Sequence, residues 1–193
     1  MPRSKGAAPR ALPIALELLS SDHRKVEELF RQFDGMKEEE DDSRVAIAQR
    51  ICAELTVHAQ VEEDLFYPWL RENLDDTEMV AEALVEHATA KQLIAEILPV
   101  DAADEAYDAK VKVLSEYIKH HVKEEEEEIF PEVANETEEL DELGQEMHAR
   151  KAELKAEMGL AADDEVQEEM EGMASGRGRK RKPPHREAQG GSR

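Results

Sequence analysis

Apolar residues recur every three or four positions along most of the chain, which is the spacing of one helix face. Four such stretches lie between residues 12 and 135. The first ends near the Asp-Gly pair at 34–35 and the third at Pro99, while Pro68 and Pro131 are expected in or just past the last turn of the second and fourth. Four helices with short connections predict an all-α, up-down-up-down four-helix bundle.

The predicted inward face of each helix is interrupted by polar residues. The four faces are, in order, Leu16, Leu19, His23, Val26, Phe30 and Phe33; Ile47, Ile51, Leu55, His58, Glu62, Leu65 or Phe66, and Trp69; Val80, Leu84, His87, Lys91, Ile94 and Leu98; and Val111, Leu114, Ile118, His121, Glu125 and Ile129. Every face therefore includes a histidine that should point into the bundle. Burying so many polar groups without partners is costly, so the pattern indicates a shared function for them.

The pattern changes outside this region. Residues 1–11 are a polar, basic arm that we expect to be disordered. Residues 136–160 predict an acidic, weakly amphipathic helix that either packs as a fifth helix or projects from the bundle. From 161 to 193 the hydrophobic pattern is lost, and the run GRGRKRKPP predicts a disordered basic tail. This tail solvates the protein, makes weak contacts with nucleic acid or another polyanion, or contacts the acidic body.

Composition narrows the classes of function. The chain has 193 residues and a formal net charge of -22, which argues against nucleic-acid binding by the main body and favours cations. No apolar run approaches the roughly 20 residues of a membrane span, so we expect no membrane partner. The single cysteine, Cys52, excludes an internal disulfide and is interpreted as a small buried hydrophobic residue. A cytoplasmic location is the expectation.

One sequence motif occurs twice in the chain. Residues 58–68 read HAQVEEDLFYP and residues 121–131 read HVKEEEEEIFP, each with Glu four residues and Pro ten residues after the His. An acidic residue followed by His, Asp-His at 22–23 and Glu-His at 86–87, precedes each copy by a nearly equal distance. In a chain this rich in glutamate a single His-x-x-x-Glu match is expected by chance, but the shared register is not.

The spacing suits a metal site. Residues i and i+4 lie on one helix face, so an imidazole and a carboxylate there can hold one ion or two adjacent ions. Four imidazoles and two bridging carboxylates fill about eight of the roughly twelve positions of two octahedral ions, which leaves room for a small ligand. Such mixed nitrogen and oxygen ligation suits iron or manganese better than zinc. The Glu-x-x-His pairs of ferritin-like bundles do not occur at these histidines.

Over residues 12–135 the chain resembles the hemerythrin-like, or HHE cation-binding, domain family. The resemblance implies a four-helix bundle around two non-haem iron ions with an oxo or hydroxo bridge, with manganese or zinc less favoured. It implies a role in binding or sensing dioxygen, nitric oxide or peroxide, or in handling iron. The matching motifs imply a metal ligand set, with the two glutamates as bridging carboxylates: His23, His58, Glu62, His87, His121 and Glu125. A di-iron enzyme that decomposes peroxide or has other redox activity, and a metal-free interaction bundle, are the alternatives.

The sequence departs from the family at Lys91, where oxygen-carrying hemerythrins have a second histidine on the third helix. This argues against simple oxygen carriage, and leaves Lys91 either near an open metal position or turned away from the site. His120, with Glu124 four residues later, is an alternative to His121 that breaks the proline register. Glu63 or Glu126 is an alternative further ligand or guide for incoming metal, although both fit a surface role.

The remaining candidates have simpler interpretations. Tyr67, Phe130 and Trp69 are expected to close the end of the bundle rather than to contact the metal. Glu27 is expected to form a solvated or salt-bridged pair with His23, since the other half of the duplication has Lys91 at the corresponding position. His148 and His185 fall outside the bundle and are expected to be exposed to solvent.

Overall fold

A computed structural model of the protein describes residues 11–36, 41–75, 77–99, 104 and 106–160. The predictions of a disordered arm and of a disordered basic tail fall on residues 1–10 and 161–193, which lie outside the described residues. In the part that is described, no strand occurs, and the prediction of an all-α bundle is confirmed. None of the described helices is long and apolar enough to cross a membrane.

Two π-helical turns interrupt the helices without ending them. The elements are α1 (Ile14–Gly35), α2 (Asp41–Val61), the first π-turn (Glu62–Phe66), α3 (Tyr67–Asn73), α4 (Glu78–Ile97), α5 (Tyr107–Glu124), the second π-turn (Glu125–Ile129), α6 (Phe130–Val133) and α7 (Thr137–Glu157). Helices α2 and α3 are continuous through the first π-turn, and α5 and α6 through the second. The four predicted bundle helices are therefore α1, α2–α3, α4 and α5–α6, with α1 packed against α2 and α4 against α5.

The π-turns explain why one predicted helix end is wrong. Helix α3 continues to Asn73, five residues beyond Pro68, whereas α6 ends at Val133, within a turn of Pro131. Proline ordinarily breaks a helix because its ring clashes with the carbonyl group four residues earlier. Here each proline lies two residues after the end of a wider π-turn. In the first of these turns the Tyr67 N–H donates to the Glu62 carbonyl group five residues back. The altered position of the preceding carbonyl groups accommodates the ring.

Each π-turn also moves the buried face by one residue. In the second bundle helix Phe66, Tyr67 and Leu70 are buried, while Leu65 and Trp69, both on the predicted face, are half-buried. An α-helix would return to the same face after three or four residues, and the extra residue in a π-turn delays that return by one. The sequence left open whether Leu65 or Phe66 belongs to the buried face, and the structure buries Phe66.

Two apolar layers enclose a polar band at the middle of the bundle. In α1, Leu16 and Leu19 belong to one layer, Val26 and Phe30 belong to the other, and His23 lies between them. The second layer also contains Cys52, which is buried as expected, and burial raises the pKa of its thiol to about 11. At the end of the predicted face of α4, Leu98 is 51% exposed, so its assignment to the core is wrong.

The acidic segment after the bundle packs as a fifth helix, α7, against α1 and α2. Gly144 permits this contact, since a Cβ atom there would lie 2.5 Å from the backbone nitrogen of Ala15. The Ile14 N–H donates to Asp141 Oδ1 at 2.8 Å, so α7 also caps the first turn of α1. The apolar residues that α7 buries are Leu140, Leu143, Met147 and Leu154.

Candidate metal centre

The structure brings the six predicted ligand residues together in the polar band. All are buried, with exposed fractions from 0% to 6%. Their nitrogen and oxygen atoms form two groups in which all candidate ligand atoms lie within 4.8 Å of one another. The first group is His23, His58, Glu62 and Glu125, and the second is Glu62, His87 and His121. Two groups that share a carboxylate provide two adjacent positions for a cation.

Each central carboxylate lies between histidines from both halves of the duplication. Glu62 Oε2 is 3.2 Å from the Nε2 atom of His58 and 3.3 Å from that of His87. Glu125 Oε2 is 3.3 Å from the Nε2 atom of His23 and 3.7 Å from that of His121. The carboxylates thus occupy the places that bridging ligands require, while the ligand roles of the six residues stay a prediction.

Several polar atoms at the centre have no hydrogen-bond partner within the described structure. They include both carboxylate oxygens of Glu62, Oε2 of Glu125 and Nε2 of His23. The distances between Glu125 Oε2 and its neighbouring imidazoles are those of an ion pair rather than of an aligned hydrogen bond. Unpartnered buried polar groups are costly. A metal ion at each position satisfies them, so the residues present fit the cation that the fold implies.

Every central imidazole has a second carboxylate at Nδ1, the nitrogen that faces away from Glu62 and Glu125. The pairs are His23 with Glu126 at 2.9 Å, His58 with Asp22 at 3.6 Å, His87 with Glu63 at 3.0 Å, and His121 with Glu86 at 2.8 Å. Such partners fix the orientation of an imidazole and raise its basicity as a metal ligand. The outer carboxylates therefore aim the four Nε2 atoms at the centre.

Sequence reasoning missed the roles of these outer carboxylates, although the duplication contains the signal. Asp22 and Glu86 are the acidic residues directly before the first histidine of each half, and Glu63 and Glu126 directly follow the central glutamates. Glu63 and Glu126 were alternatives as further ligands. The structure instead places both on imidazole Nδ1 atoms and outside the two ligand groups.

The two central glutamates have opposite pKa shifts. Burial raises the pKa of Glu62 well above its usual range, and the negative charge of Glu125 raises it further. Burial also disfavours ionisation of Glu125, but the charge of His121 and the close contact with the charged His23 lower its pKa below the usual range. Two carboxylates this close share a site that favours one charge. Without metal, Glu62 is therefore the protonated partner.

The histidines differ in the same way within each pair. Burial opposes protonation of His23, but its contact with the Glu125 carboxylate and its hydrogen bond to Glu126 raise its pKa to about 10. Burial lowers the pKa of His58 to about 4. In the other pair burial lowers the pKa of His87, while the charge of Glu125 and the hydrogen bond to Glu86 outweigh burial and raise that of His121. The metal-free centre thus holds protons that a cation must displace.

Tyr67, which was expected to close the end of the bundle rather than to contact the metal, also reaches the polar centre. Its hydroxyl donates to Glu125 Oε1 at 2.9 Å and lies 3.2 Å from His87 Nε2. Phe130, the corresponding residue of the other half, has no hydroxyl and stacks on the His23 ring with centroids 6.0 Å apart. The shift of register at the first π-turn turns Tyr67 inward. The two halves of the duplication therefore differ at this position. Tyr67 donates a phenolic hydrogen bond to Glu125, whereas Phe130 has no hydroxyl with which to donate one.

Other candidates lie outside the two ligand groups. The His120 side chain is 61% exposed and pairs with Glu124 at 3.0 Å, so the structure places His121 rather than His120 at the centre. Lys91 contacts Glu63 rather than the central carboxylates, with its ammonium 2.6 Å from Oε2. Glu27 and His148 are exposed, as expected. His185 lies outside the described residues.

A small cavity of about 20 Å³ adjoins the four central imidazoles. Its polar lining is formed by the histidines with Asp22 and Lys91, and the rest is apolar. The apolar lining residues are Val26, Leu55, Ala59, Ala90, Ile94, Ile118 and Val122. Neither Glu62 nor Glu125 lines this cavity. A small molecule there reaches the centre from the side of the imidazoles, in surroundings that exclude bulk water.

Comparisons with known proteins agree with this architecture. The crystal structure of a hemerythrin HHE cation-binding domain-containing protein from Mycobacterium kansasii superposes with a TM-score of 0.64 at 24% identity, covering 77% of this chain and 90% of that one. A protein named DNA nickase from Nostoc sp. is 24% identical over 146 residues, which are 74% of this chain but 40% of the relative. The family model of the hemerythrin HHE cation-binding domain matches residues 14–133. The chain belongs to the hemerythrin HHE cation-binding domain family.

Proposed function

We propose that this protein holds two non-haem iron ions and binds or senses a small ligand such as dioxygen, nitric oxide or peroxide, or handles iron. The observation that supports this best is the pair of buried ligand groups sharing Glu62, with atoms that have no hydrogen-bond partner in the described structure. Nitrogen and oxygen ligands in about equal number favour iron or manganese over a structural zinc site, which is closed and tetrahedral.

The proposal assigns each residue a task. His23 and His58 hold one ion, His87 and His121 hold the other, and Glu62 and Glu125 bridge the two. Iron supplies redox chemistry and coordination positions for a small exogenous ligand. The outer carboxylates orient the imidazoles, and the apolar layers on both sides limit access of water. The cavity beside the histidines gives a small ligand a place that a charged metabolite cannot occupy without losing its hydration.

A second candidate is redox catalysis at the same centre, and Tyr67 is the observation that favours it. Burial raises the pKa of its phenol well above the usual range, and the charges of Glu125 and Glu62 raise it further. The group therefore keeps its proton at neutral pH and can transfer it only to a strongly basic atom, such as the oxygen released when the O–O bond of a peroxide breaks. A proton donor at the site would assist such a reaction.

DNA is a weaker candidate partner. The relative named DNA nickase is much longer than this chain, since the aligned region is 40% of its length. The acidic charge of this protein disfavours contact of the bundle with phosphates. We propose nucleic-acid contact only as weak binding through the basic tail. The affinity for DNA should then disappear on deletion of residues 176–193 and fall with added salt.

Metal content and reactivity test the proposal. Protein expressed with added iron should contain about two iron ions per chain and show visible absorption, as the ligand count of the two groups predicts. After anaerobic reduction, a spectrum that changes reversibly with air indicates binding, while steady loss of added peroxide indicates an enzyme. Replacing Tyr67 by Phe should slow peroxide loss without changing iron content if the phenol donates the proton. A fully folded protein that takes up no metal would exclude both functions.

A further inference from the structure

A third group of metal-ligating side chains lies at the surface, outside the centre. It consists of Glu86, His120 and Glu124, whose candidate ligand atoms lie within 4.8 Å of one another. His120 Nε2 is 3.0 Å from Glu124 Oε1 and 4.0 Å from Glu86 Oε1. An imidazole with two carboxylates suits a divalent first-row metal ion. The exposed imidazole makes this group accessible from solvent.

This surface group is joined to the centre through one side chain. Glu86 has one carboxylate oxygen, Oε1, facing His120, while the other, Oε2, lies 2.8 Å from His121 Nδ1. Two of the other outer carboxylates are instead covered by ammonium groups, since Glu63 contacts Lys91 at 2.6 Å and Asp22 contacts Lys151 at 2.5 Å. The Glu86 side of the centre therefore differs in presenting ligand atoms to an incoming cation.

A small acidic cleft of about 40 Å³ lies between Glu86 and Glu124 of the surface group and His121 and Glu125 of the centre. Its lining contains five glutamates and His121, and no lysine or arginine occurs among the described residues that form it. The glutamates are Glu82, Glu86, Glu124, Glu125 and Glu128. Glu125 is 1% exposed, and its Oε2 atom has no hydrogen-bond partner in the described structure. The cleft thus reaches the buried Glu125, a proposed bridging ligand.

We propose that Glu86, His120 and Glu124 form a surface site that captures divalent first-row metal ions, and that the acidic cleft passes them to the centre. The delivery step rests on the proposed metal function of that centre, whereas capture at the surface does not. A cleft lined by charges of one sign concentrates ions of the opposite sign and raises their rate of arrival. Exchange between ligands that are close together lets an ion enter the buried site without losing all its ligands at once.

Capture can be tested directly with Mn²⁺, whose paramagnetism broadens the NMR signals of nearby nuclei. In a titration of the full chain, we expect the His120 ring signals to disappear at lower Mn²⁺ than those of His148, an exposed histidine on α7. The Glu124→Gln variant should remove this difference. Equal broadening of the two histidines in the unmodified protein would overturn the proposed site. This measurement does not require that the centre itself takes up metal.

Delivery can be tested by the rate of anaerobic Fe²⁺ uptake at limiting iron. The variants His120→Ala and Glu124→Gln should slow uptake by about fivefold or more, as expected for the loss of a steering site. Their final iron content should equal that of the unmodified protein. The matched controls are His148→Ala and Glu116→Gln, which alter an exposed histidine and an exposed glutamate away from the cleft. If the uptake rates of His120→Ala and Glu124→Gln lie within a factor of two of the controls, the cleft does not deliver iron. If no protein, including the unmodified one, takes up iron, the proposed function of the centre is contradicted.

Discussion

The Lys91 ammonium lies 2.6 Å from Glu63 Oε2, and the other oxygen of this carboxylate lies 3.0 Å from His87 Nδ1. Lys91, which stands where oxygen-carrying hemerythrins have a histidine, therefore acts on the centre indirectly, through Glu63. It holds the carboxylate that orients a proposed ligand, and it lies outside both central ligand groups. Because Lys91 also lines the cavity beside the imidazoles, it places a positive charge near the path of a small ligand.

Replacing Glu63 by Gln should weaken metal binding by about 10- to 100-fold, because the charged partner of His87 Nδ1 is lost. The equilibrium affinity for Mn²⁺, measured by competition with a chelator, gives this number. Glu72→Gln, which removes an exposed carboxylate from the following helix α3, is the matched control. If both variants bind Mn²⁺ as tightly as the unmodified protein, Glu63 has no role in orienting the ligand.

The neighbouring histidines His120 and His121 should respond differently to alanine substitution. His121→Ala should sharply lower the metal content of protein expressed with iron, since this substitution removes a buried member of one ligand group. His120→Ala should leave that content unchanged, since this side chain is largely exposed. Elemental analysis of both purified variants, with circular dichroism to confirm that each is folded, decides between them. The opposite result would show that the register of the duplication is misassigned.

The central residues were predictable because their signal is local. Two residues four positions apart share a helix face whatever the rest of the fold does, so His121 with Glu125 follows from the sequence. The second copy in the same register selects this pair over His120 with Glu124. Neither step requires knowledge of how the helices pack.

The inward turn of Tyr67 and the partner of His23 depend on tertiary structure. Nothing in the composition of EEDLF predicts a π-turn, whose less favourable helical geometry must be offset by packing. Burial of Phe66 and Tyr67 in the first apolar layer provides such packing. The contact of His23 with Glu126 joins residues 103 positions apart, and only the arrangement of the helices brings them together.

Helix α7 should contribute to the centre although it lies beyond the residues that the family model matches. Lys151 Nζ is 2.5 Å from Asp22 Oδ1, and Asp22 Oδ2 is 3.6 Å from His58 Nδ1. Lys151→Met should therefore weaken Mn²⁺ binding by about tenfold, the low end for a partner of a metal ligand. Lys151→Arg, which keeps the charge, should restore much of this affinity.

Lys155→Met is the matched control for this experiment. Lys155 is as buried as Lys151, lies one turn later on α7, and pairs with Glu54 at 3.2 Å rather than with Asp22. Breaking either buried pair should lower the free energy of unfolding, measured by urea denaturation, because a buried carboxylate loses one ammonium group from its surroundings. Glu54 keeps a second ammonium, that of Lys25, at 2.7 Å. A difference in metal affinity between the two methionine variants therefore separates orientation of His58 from a general loss of stability. Equal affinities would exclude a role of α7 at the centre.

Metal uptake should release protons, so metal affinity should rise with pH. The pKa of His23 is raised to about 10, because its contact with the Glu125 carboxylate and its hydrogen bond to Glu126 outweigh burial, so the metal-free protein keeps this proton at neutral pH. Burial also keeps Glu62 protonated, since its pKa is raised well above the usual range. Metals bind neutral imidazole and ionised carboxylate, so both protons must leave.

Calorimetry of Mn²⁺ binding in buffers with different ionisation enthalpies counts these protons. Near pH 7 we expect at least two protons to be released for each centre filled, from His23 and Glu62, which makes the affinity rise by at least about 100-fold per pH unit. The sign follows from the pKa shifts, since both groups bind protons more tightly in the metal-free fold than they do in an unfolded chain. His23→Gln should reduce the count by about one if the variant still binds metal. An affinity that is independent of pH would contradict the protonation states assigned to the centre, because unprotonated ligands release nothing on binding.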